Sequence, residues 1–162
     1  MTRLKLAGIV IAILILLIVA AIIIPCMMPP GMAANESSAV AGVRAIDNAE
    51  NAYRAIYGGY ANSLANLGGA TPCVRSAVTA CLIDQKLSSG VRFGYKFAAV
   101  GSNPVRGANT SYAAGAAPSE FNRTGKRRFC STETNVIRMD ANAGGSTIPP
   151  DGKQCAGFSA LQ

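Results

Sequence analysis

The stretch VAGVRAIDNAENAYRAIYGG, residues 40–59, decides the fold, because apolar side chains recur in it every three or four positions. These side chains are Val40, Val43, Ile46, Ala49, Tyr53 and either Ile56 or Tyr57. Such spacing predicts an amphipathic helix that begins between Met32 and Ser37 and ends at about Tyr57, before Gly58-Gly59. The other side of this helix carries Arg44, Asp47, Asn48, Asn51 and Arg54. Glu50 stands four positions before Arg54, the order that favours an exposed ion pair.

Residues 91–99 predict a β-strand, because hydrophobic side chains alternate there with Arg92, Gly94, Lys96 and Ala98. Only one parity of a strand can face the core, so we expect one set to point inward together: Val91, Phe93, Tyr95, Phe97 and Ala99. Weaker strands are predicted at residues 110–114, 127–131 and 136–140, with a hairpin turn at residues 132–135. The order of helix and antiparallel strands indicates an α+β domain in which one helix packs across a small sheet.

Three other segments complete the predicted domain. Residues 77–87 are expected to form a short helix with Val78, Leu82 and Leu87 directed inward. A helical turn is expected at residues 63–67 within a longer loop. Residues 141–162 are rich in Gly and Pro, so we expect them to be irregular and held in place by Cys155.

The chain before residue 32 has the composition of a membrane anchor. Leu6 to Ile24 are nineteen consecutive residues without a charged or polar side chain, enough to cross a hydrocarbon core of about 30 Å as one helix. A cleaved signal peptide is the alternative, but its apolar core is shorter and ends at a small-x-small site that residues 25–30 lack. Arg3 and Lys5 precede the run and predict a cytoplasmic N-terminus, with the rest of the chain on the outer side of the membrane. We therefore expect an anchor with a Pro-rich break, residues 1–31, and a globular domain, residues 32–162.

The polar composition argues against an enzyme. The chain has no His, which removes the usual general base and the commonest zinc ligand. Its eight carboxylates are spread along the sequence without a close pair at a useful spacing, and no Gly-rich phosphate loop follows a strand. Residues 32–162 carry thirteen Lys and Arg against eight Asp and Glu, but the cations are scattered except for Lys126-Arg127-Arg128. We interpret that triplet as a solvated strand face or strand edge and expect no nucleic-acid partner.

The five cysteines divide into one and four. Cys26 lies at the end of the apolar run and is expected to be unpaired. The other four, in the exported domain, are Cys73, Cys81, Cys130 and Cys155. Four cysteines allow three pairings, and chain order and loop length favour Cys73–Cys81 with Cys130–Cys155. A zinc site is the alternative, but the spacings contain no Cys-x-x-Cys pair.

Several segments, in order, resemble the type IV pilin and type II secretion pseudopilin family. They are residues 20–25 followed by 32–40, residues 44–53 leading into 57–60, residues 81–97, and the later strings at 128–132 and 136–138. The resemblance covers nearly the whole chain. It implies the pilin-like fold and a non-enzymatic structural or assembly role in a type IV pilus or a type II secretion pseudopilus, with other subunits and assembly proteins as partners and a bacterial inner-membrane location.

The N-terminus departs from the family pattern. Members carry Gly-Phe-x-x-x-Glu at the start of the apolar helix, where a peptidase cuts after the Gly, and alignment on Pro25 puts Arg3, Leu4 and Gly8 at the three defining positions. We therefore expect the chain to stay uncleaved and anchored and to form no pilus alone. The alternative function is a standalone anchored binding domain that reuses the pilin fold without polymerising.

Calcium is the cofactor that the resemblance raises, since some major pseudopilins hold it near their C-terminal strands. Asp140 and Asp151 lie in that region of this chain. Calcium prefers six to eight oxygen ligands, usually from several carboxylates, so two dispersed aspartates give thin support. We expect no cofactor and assign no metal.

Overall fold

The computed structural model describes residues 31–161 and, before them, the single position Ile13. The predicted anchor, Leu6 to Ile24, lies outside the described residues except at that position. Of the helices described, none is long and apolar enough to span a bilayer. The chain separates into two compact units, Met1–Gly31 and Met32–Gln162, and the second contains all the elements described below.

The predicted amphipathic helix is confirmed as α1, Met32–Tyr57. Val43 and Ile46 are completely buried, and Ala49 and Tyr53 are nearly so, as the spacing predicts. The helix ends at Gly58, whose N–H donates to the carbonyl of Arg54 (2.9 Å) and whose φ of +81° suits a residue without a side chain. The prediction for the polar side of the helix is wrong at Asp47 and Glu50, because both carboxylates are buried.

Six antiparallel strands form one sheet in chain order. They are β1 (Val91–Arg92), β2 (Tyr95–Val105), β3 (Ala108–Pro118), β4 (Arg128–Thr132), β5 (Arg138–Asp140) and β6 (Ser159–Ala160), and they are hydrogen-bonded in the order β1-β2-β3-β4-β5-β6. The longest pairing joins β2 and β3, from Tyr95 opposite Pro118 to Val105 opposite Ala108. The α+β class, with one helix packed on an antiparallel sheet, is therefore confirmed.

The prediction of one continuous strand over residues 91–99 is wrong at its start. Phe93 and Gly94 have positive φ angles (47° and 72°), so the chain turns back and Val91 pairs with Lys96. Val91 and Phe93 are exposed as a result, whereas Tyr95, Phe97 and Ala99 are buried as predicted. The alternation of side chains continues across a turn that Gly94 makes possible, so it does not mark one continuous strand.

The predicted helix at residues 77–87 is also wrong in most of its length. Only Gln85–Ser88 is helical (α3). The helix begins there because Asp84 caps it by accepting from the Leu87 N–H (3.0 Å). Residues 73–81 form a disulfide-closed loop in which Val78 is exposed, while Leu87 is buried as predicted. The helical turn at residues 63–67 is confirmed as α2, Leu64–Leu67.

The C-terminal part of the chain is more ordered than predicted. The strand predicted at residues 110–114 extends over all of β3, whereas the one at 136–140 is shortened to β5. The hairpin turn at residues 132–135 is confirmed, closed by the Asn135 N–H and the Thr132 carbonyl (2.8 Å). Residues 141–162 contain a short helix, α4 (Gly152–Ala156), and β6.

The core lies between α1 and one face of the sheet. Tyr95, Phe97 and Phe129 come from the sheet, and Val43 and Ile46 come from the helix. The ring of Phe97 reaches so close to α1 that a Cβ atom on Gly42 would lie 2.5 Å from it. The glycine therefore sets how closely helix and sheet approach.

Candidate functional site

The two predicted disulfides are confirmed. Cys73 is bonded to Cys81, and Cys130 on β4 is bonded to Cys155 on α4. The second bond holds the C-terminal segment against the sheet face that points away from α1. Pro150 packs there so closely over Gly115 that a Cβ atom at this glycine would clash with the Pro150 carbonyl oxygen.

A groove of about 610 Å³ runs beside this segment on the same face of the sheet. Its floor comes from the outward side chains of β2, β3 and β4, and its wall comes from residues 149–153. The floor consists of small aliphatic and hydroxyl side chains, among them Val100, Ser102, Ser111, Ala113 and Thr132. Such a lining suits contact with a protein segment or a small polar ligand better than acid–base chemistry.

Of the charged residues that line the groove, Asp151 has a structural partner, whereas Glu133 and Lys153 do not form an ion pair within residues 31–161. Asp151 accepts from the N–H of Gln154 (2.7 Å) and so caps α4, and the Gln154 side chain returns to the Asp151 N–H. Glu133 and Lys153 also line the groove and are exposed. Glu133 and Lys153 offer a ligand one negative and one positive group, and they form no ion pair with each other.

A buried acidic pair on α1 is the feature that the sequence analysis missed. Asp47 accepts from the Tyr112 hydroxyl (2.9 Å), and one oxygen of Glu50 accepts from the Ala61 N–H (2.9 Å). The other Glu50 oxygen is buried with no hydrogen-bond partner. The signal was present, because Glu50 lies four residues after Ile46 and three before Tyr53, on the apolar side of the helix.

Burial sets the protonation behaviour of this pair. It raises the pKa of Glu50 to about 7, the Ala61 N–H opposes the rise, and the charge of Asp47 adds to it. Burial likewise raises the pKa of Asp47, against hydrogen bonds from Ser131 and Tyr112. The pair joins α1 to the loop after it and to the sheet, so its geometry is that of a structural connection.

We expect the stability of the domain to fall as the pH rises from about 4.5 to about 7. The folded state holds the Glu50 proton more tightly than the unfolded chain does, because the pKa moves from 4.5 to about 7 on folding. Glu50→Gln keeps the shape of the side chain and an acceptor for the Ala61 N–H. It should remove this pH dependence, which is at most about 1.4 kcal/mol in the free energy of unfolding per pH unit. Urea unfolding across this pH range measures it.

The matched control is Glu133→Gln, which neutralises an exposed carboxylate and should leave the pH slope of the native chain unchanged. Above about pH 7 the Glu50→Gln variant should be more stable than the native chain, since it carries no charge in that buried position. Equal slopes in the native and Glu50→Gln chains would contradict the assignment.

A second polar cluster closes the start of α1. Glu36 accepts from the backbone N–H groups of Lys126 (2.9 Å) and Arg127 (3.2 Å) and forms an ion pair with the Arg127 guanidinium (2.6 Å). Burial opposes ionisation of Glu36, but the Lys126 and Arg127 hydrogen bonds and the Arg127 charge outweigh it and lower its pKa. Arg128 forms an ion pair with Asp140 (2.7 Å). Our interpretation of Lys126-Arg127-Arg128 as a solvated face is therefore wrong for Arg128, whose side chain is only 14% exposed, whereas the Arg127 side chain is still 43% exposed.

The sequence-predicted site residues are used in different ways. The four cysteines form two bonded pairs, whereas Asp140 and Asp151, the calcium candidates, are engaged separately by Arg128 and by the cap of α4. Within residues 31–161, no group of three or more His, Cys, Asp or Glu side chains is placed to hold a metal ion. The anchor residues Leu6 and Ile24 fall outside the described part of the chain. Comparison with family models, with curated proteins and with solved structures found no match for this chain.

Proposed function

We propose that this chain is a non-enzymatic, membrane-anchored pilin-like protein, a structural or assembly component of a type IV pilus or a type II secretion pseudopilus. The observation that carries the proposal is the architecture after residue 31: a 26-residue helix, Met32–Tyr57, lies across an antiparallel sheet. That helix follows an apolar run long enough to cross a bilayer, Leu6 to Ile24. The domain would lie in the periplasm, with the N-terminus in the cytoplasm.

The use of the carboxylates supports a structural role. Glu36 and Asp140 are bound by arginines, Asp47 by a tyrosine, and Asp151 caps a helix. Glu50 is buried against the Ala61 N–H. Side chains with these duties hold elements of the fold together.

A second candidate is a standalone anchored binding domain that does not polymerise. The N-terminal sequence favours it, because Arg3, Leu4 and Gly8 stand where the family has Gly, Phe and Glu. Drawing uncleaved Arg3 and Lys5 into a filament core would remove their hydration without a carboxylate at position 8 to pair them. The groove beside residues 149–153 is then the surface available to a ligand or partner.

Processing separates the two functions. When the chain is expressed with a functional prepilin peptidase and pilus assembly proteins, we expect mass spectrometry to find an unmethylated N-terminus at Met1 or Thr2. The reason is that Arg3 is neither small nor neutral at the position before the cut. We also expect the protein in the membrane fraction and not in sheared filaments, which is the outcome for an anchored assembly component or a standalone domain but not for a filament subunit.

The matched control restores the motif with Arg3→Gly, Leu4→Phe and Gly8→Glu in one chain. This variant should be cut after residue 3, which shows that the peptidase is active on the same background. Cleavage of the native chain, or its recovery in sheared filaments, would contradict the standalone function and support filament membership. Recovery of the native chain in the soluble fraction would contradict the anchor itself.

A further inference from the structure

Three segments meet around the start of α1 and form a surface that we call the α1 rim: residues 32–35, the turn at residues 93–94 and the loop at residues 119–127. Asn35 donates to the Thr124 carbonyl (2.8 Å), and the Ser119 N–H donates to the Gly94 carbonyl (2.8 Å). A Cβ atom on Gly94 would lie 2.9 Å from the Thr124 side chain. Together with the hydrogen bond from the Lys126 backbone N–H to Glu36, these contacts make the rim one surface.

The rim exposes an aromatic side chain among cations. Phe93 is 55% exposed although it is aromatic, and the Arg92 guanidinium lies 4.9 Å from its ring centre. Met32 is also exposed. Lys126 is exposed and forms no ion pair within residues 31–161.

The acidic groups of the rim are already neutralised by arginines. Glu36 is paired with Arg127, and Glu120 is paired with Arg123. Asp84, which lies beside the rim on the element before β1, is paired with Arg92 (2.9 Å). The unpaired charge on this surface is therefore positive.

The opposite end of α1 provides an internal contrast. The turn between β2 and β3 lies beside the end of the helix, since a Cβ atom on Gly59 would lie 2.8 Å from the Ala108 side chain. α1 has 26 residues, so the two ends of the domain are separated by about 39 Å along the helix. Val105 at this far turn is 58% exposed, close to the exposure of Phe93, and Arg106 beside it is an exposed cation.

We propose that the α1 rim docks on a bilayer surface that contains anionic phospholipid, with Phe93 among the headgroups and Lys126 beside the phosphates. Exposed aromatic side chains with neighbouring cations suit the interface of an anionic bilayer. Residues 25–31 are the only chain between the apolar run and α1, and seven residues reach at most about 25 Å, less than the length of the helix. Along the chain, the α1 rim is therefore tethered closer to the proposed anchor than the far turn is, which raises its effective concentration at the headgroups. This inference rests on the proposed membrane anchor.

The chain has no tryptophan, so a single introduced tryptophan reports its own surroundings. We would reconstitute the full chain as Phe93→Trp and as Val105→Trp in vesicles of phosphatidylcholine and phosphatidylglycerol that contain spin-labelled lipid. The Phe93→Trp chain should show blue-shifted emission and strong quenching by the labelled lipid. The Val105→Trp chain should show emission typical of water and little quenching. Equal quenching of the two chains would overturn the proposal.

The charge requirement has its own matched pair of variants. On the Phe93→Trp background, Lys126→Gln should shift the equilibrium between docked and undocked domains about fivefold towards undocked. Arg106→Gln removes a cation at the far end and should change nothing. Loss of quenching when phosphatidylglycerol is omitted supports the anionic surface, and full quenching in pure phosphatidylcholine overturns it.

A measurement on the native chain does not depend on how the tryptophan variants fold. An amine-reactive, membrane-impermeant reagent should modify Lys126 more slowly in phosphatidylglycerol vesicles than in phosphatidylcholine vesicles, while exposed Lys153 reacts equally in both. Equal modification of Lys126 in both kinds of vesicle would contradict docking. Resistance of the chain to alkaline extraction is scored separately. A chain that is extracted disproves the proposed anchor, whereas a chain that is retained but unquenched disproves only the docking.

Discussion

Replacing Ile46 by alanine should lower the free energy of unfolding of the domain by about 2–5 kcal/mol. Ile46 is completely buried at the centre of α1, within the core between the helix and the sheet. Removing its outer carbons loses the free energy that their burial contributes, and it leaves a cavity that the close-packed neighbours fill only in part. Urea unfolding of a fragment that covers residues 32–162 measures the change.

Ile56→Ala is the matched control, because it makes the same chemical change on the same helix at a side chain that is 50% exposed. It should alter stability by no more than about 0.5 kcal/mol. A loss below about 1 kcal/mol for Ile46→Ala, or equal losses for the two variants, would contradict the packing of α1 across the sheet.

Removing the bond between Cys130 and Cys155 should also destabilise the domain strongly. The bond closes a loop with a sequence separation of 25, and the chain-entropy model assigns such a loop about 3 kcal/mol, within the usual range of 2–5 kcal/mol for native disulfides. A double variant, Cys130→Ala with Cys155→Ala, is compared with the native chain by urea unfolding. Limited proteolysis should then cut within residues 141–158, because the segment is no longer held against β4.

The other disulfide provides the comparison within the same chain. The Cys73–Cys81 bond has a sequence separation of only 8, so the same model assigns it about 1 kcal/mol less. Cys73→Ala with Cys81→Ala should therefore cost less stability and should not expose residues 141–158 to protease. The reverse order of the two losses would show that strain or residual structure in the unfolded chain outweighs loop length.

The parts of the fold that depend on long periodic patterns could be predicted from the sequence. The spacing from Val43 to Tyr53 identified α1, and the inward parity of Tyr95, Phe97 and Ala99 was correct. The disulfides followed from chain order, since neighbouring cysteines close the shortest loops. In each case the local signal and the tertiary structure agree.

The errors arose where a tertiary contact changed the meaning of a local pattern. Glu50 was expected in an exposed pair with Arg54, but the loop after α1 brings the Ala61 N–H to its carboxylate. Arg54 instead donates to the Tyr60 hydroxyl (3.1 Å). Neither partner can be identified from spacing on the helix, because both lie in the loop that folds back.

The groove was missed for a similar reason. Its floor consists of small side chains that alternate without a strong hydrophobic signal, and its wall is the segment at residues 149–153, far away in sequence. Pro150 packs over Gly115 as part of the C-terminal segment that the Cys130–Cys155 bond ties to β4. A surface made by such a long-range contact has no signature within one stretch of sequence.

The short outer strands of the sheet limit the ways in which copies of this domain can associate. β1 and β6 have two residues each and offer few free backbone groups to a strand of another chain. Along the exposed side of β2, Ser63 forms a bridge with Val100, and Pro104 has no N–H to donate. Strand exchange and amyloid-like stacking of the described domain are thereby disfavoured, and contact between copies through helix or sheet faces is favoured over contact through strand edges.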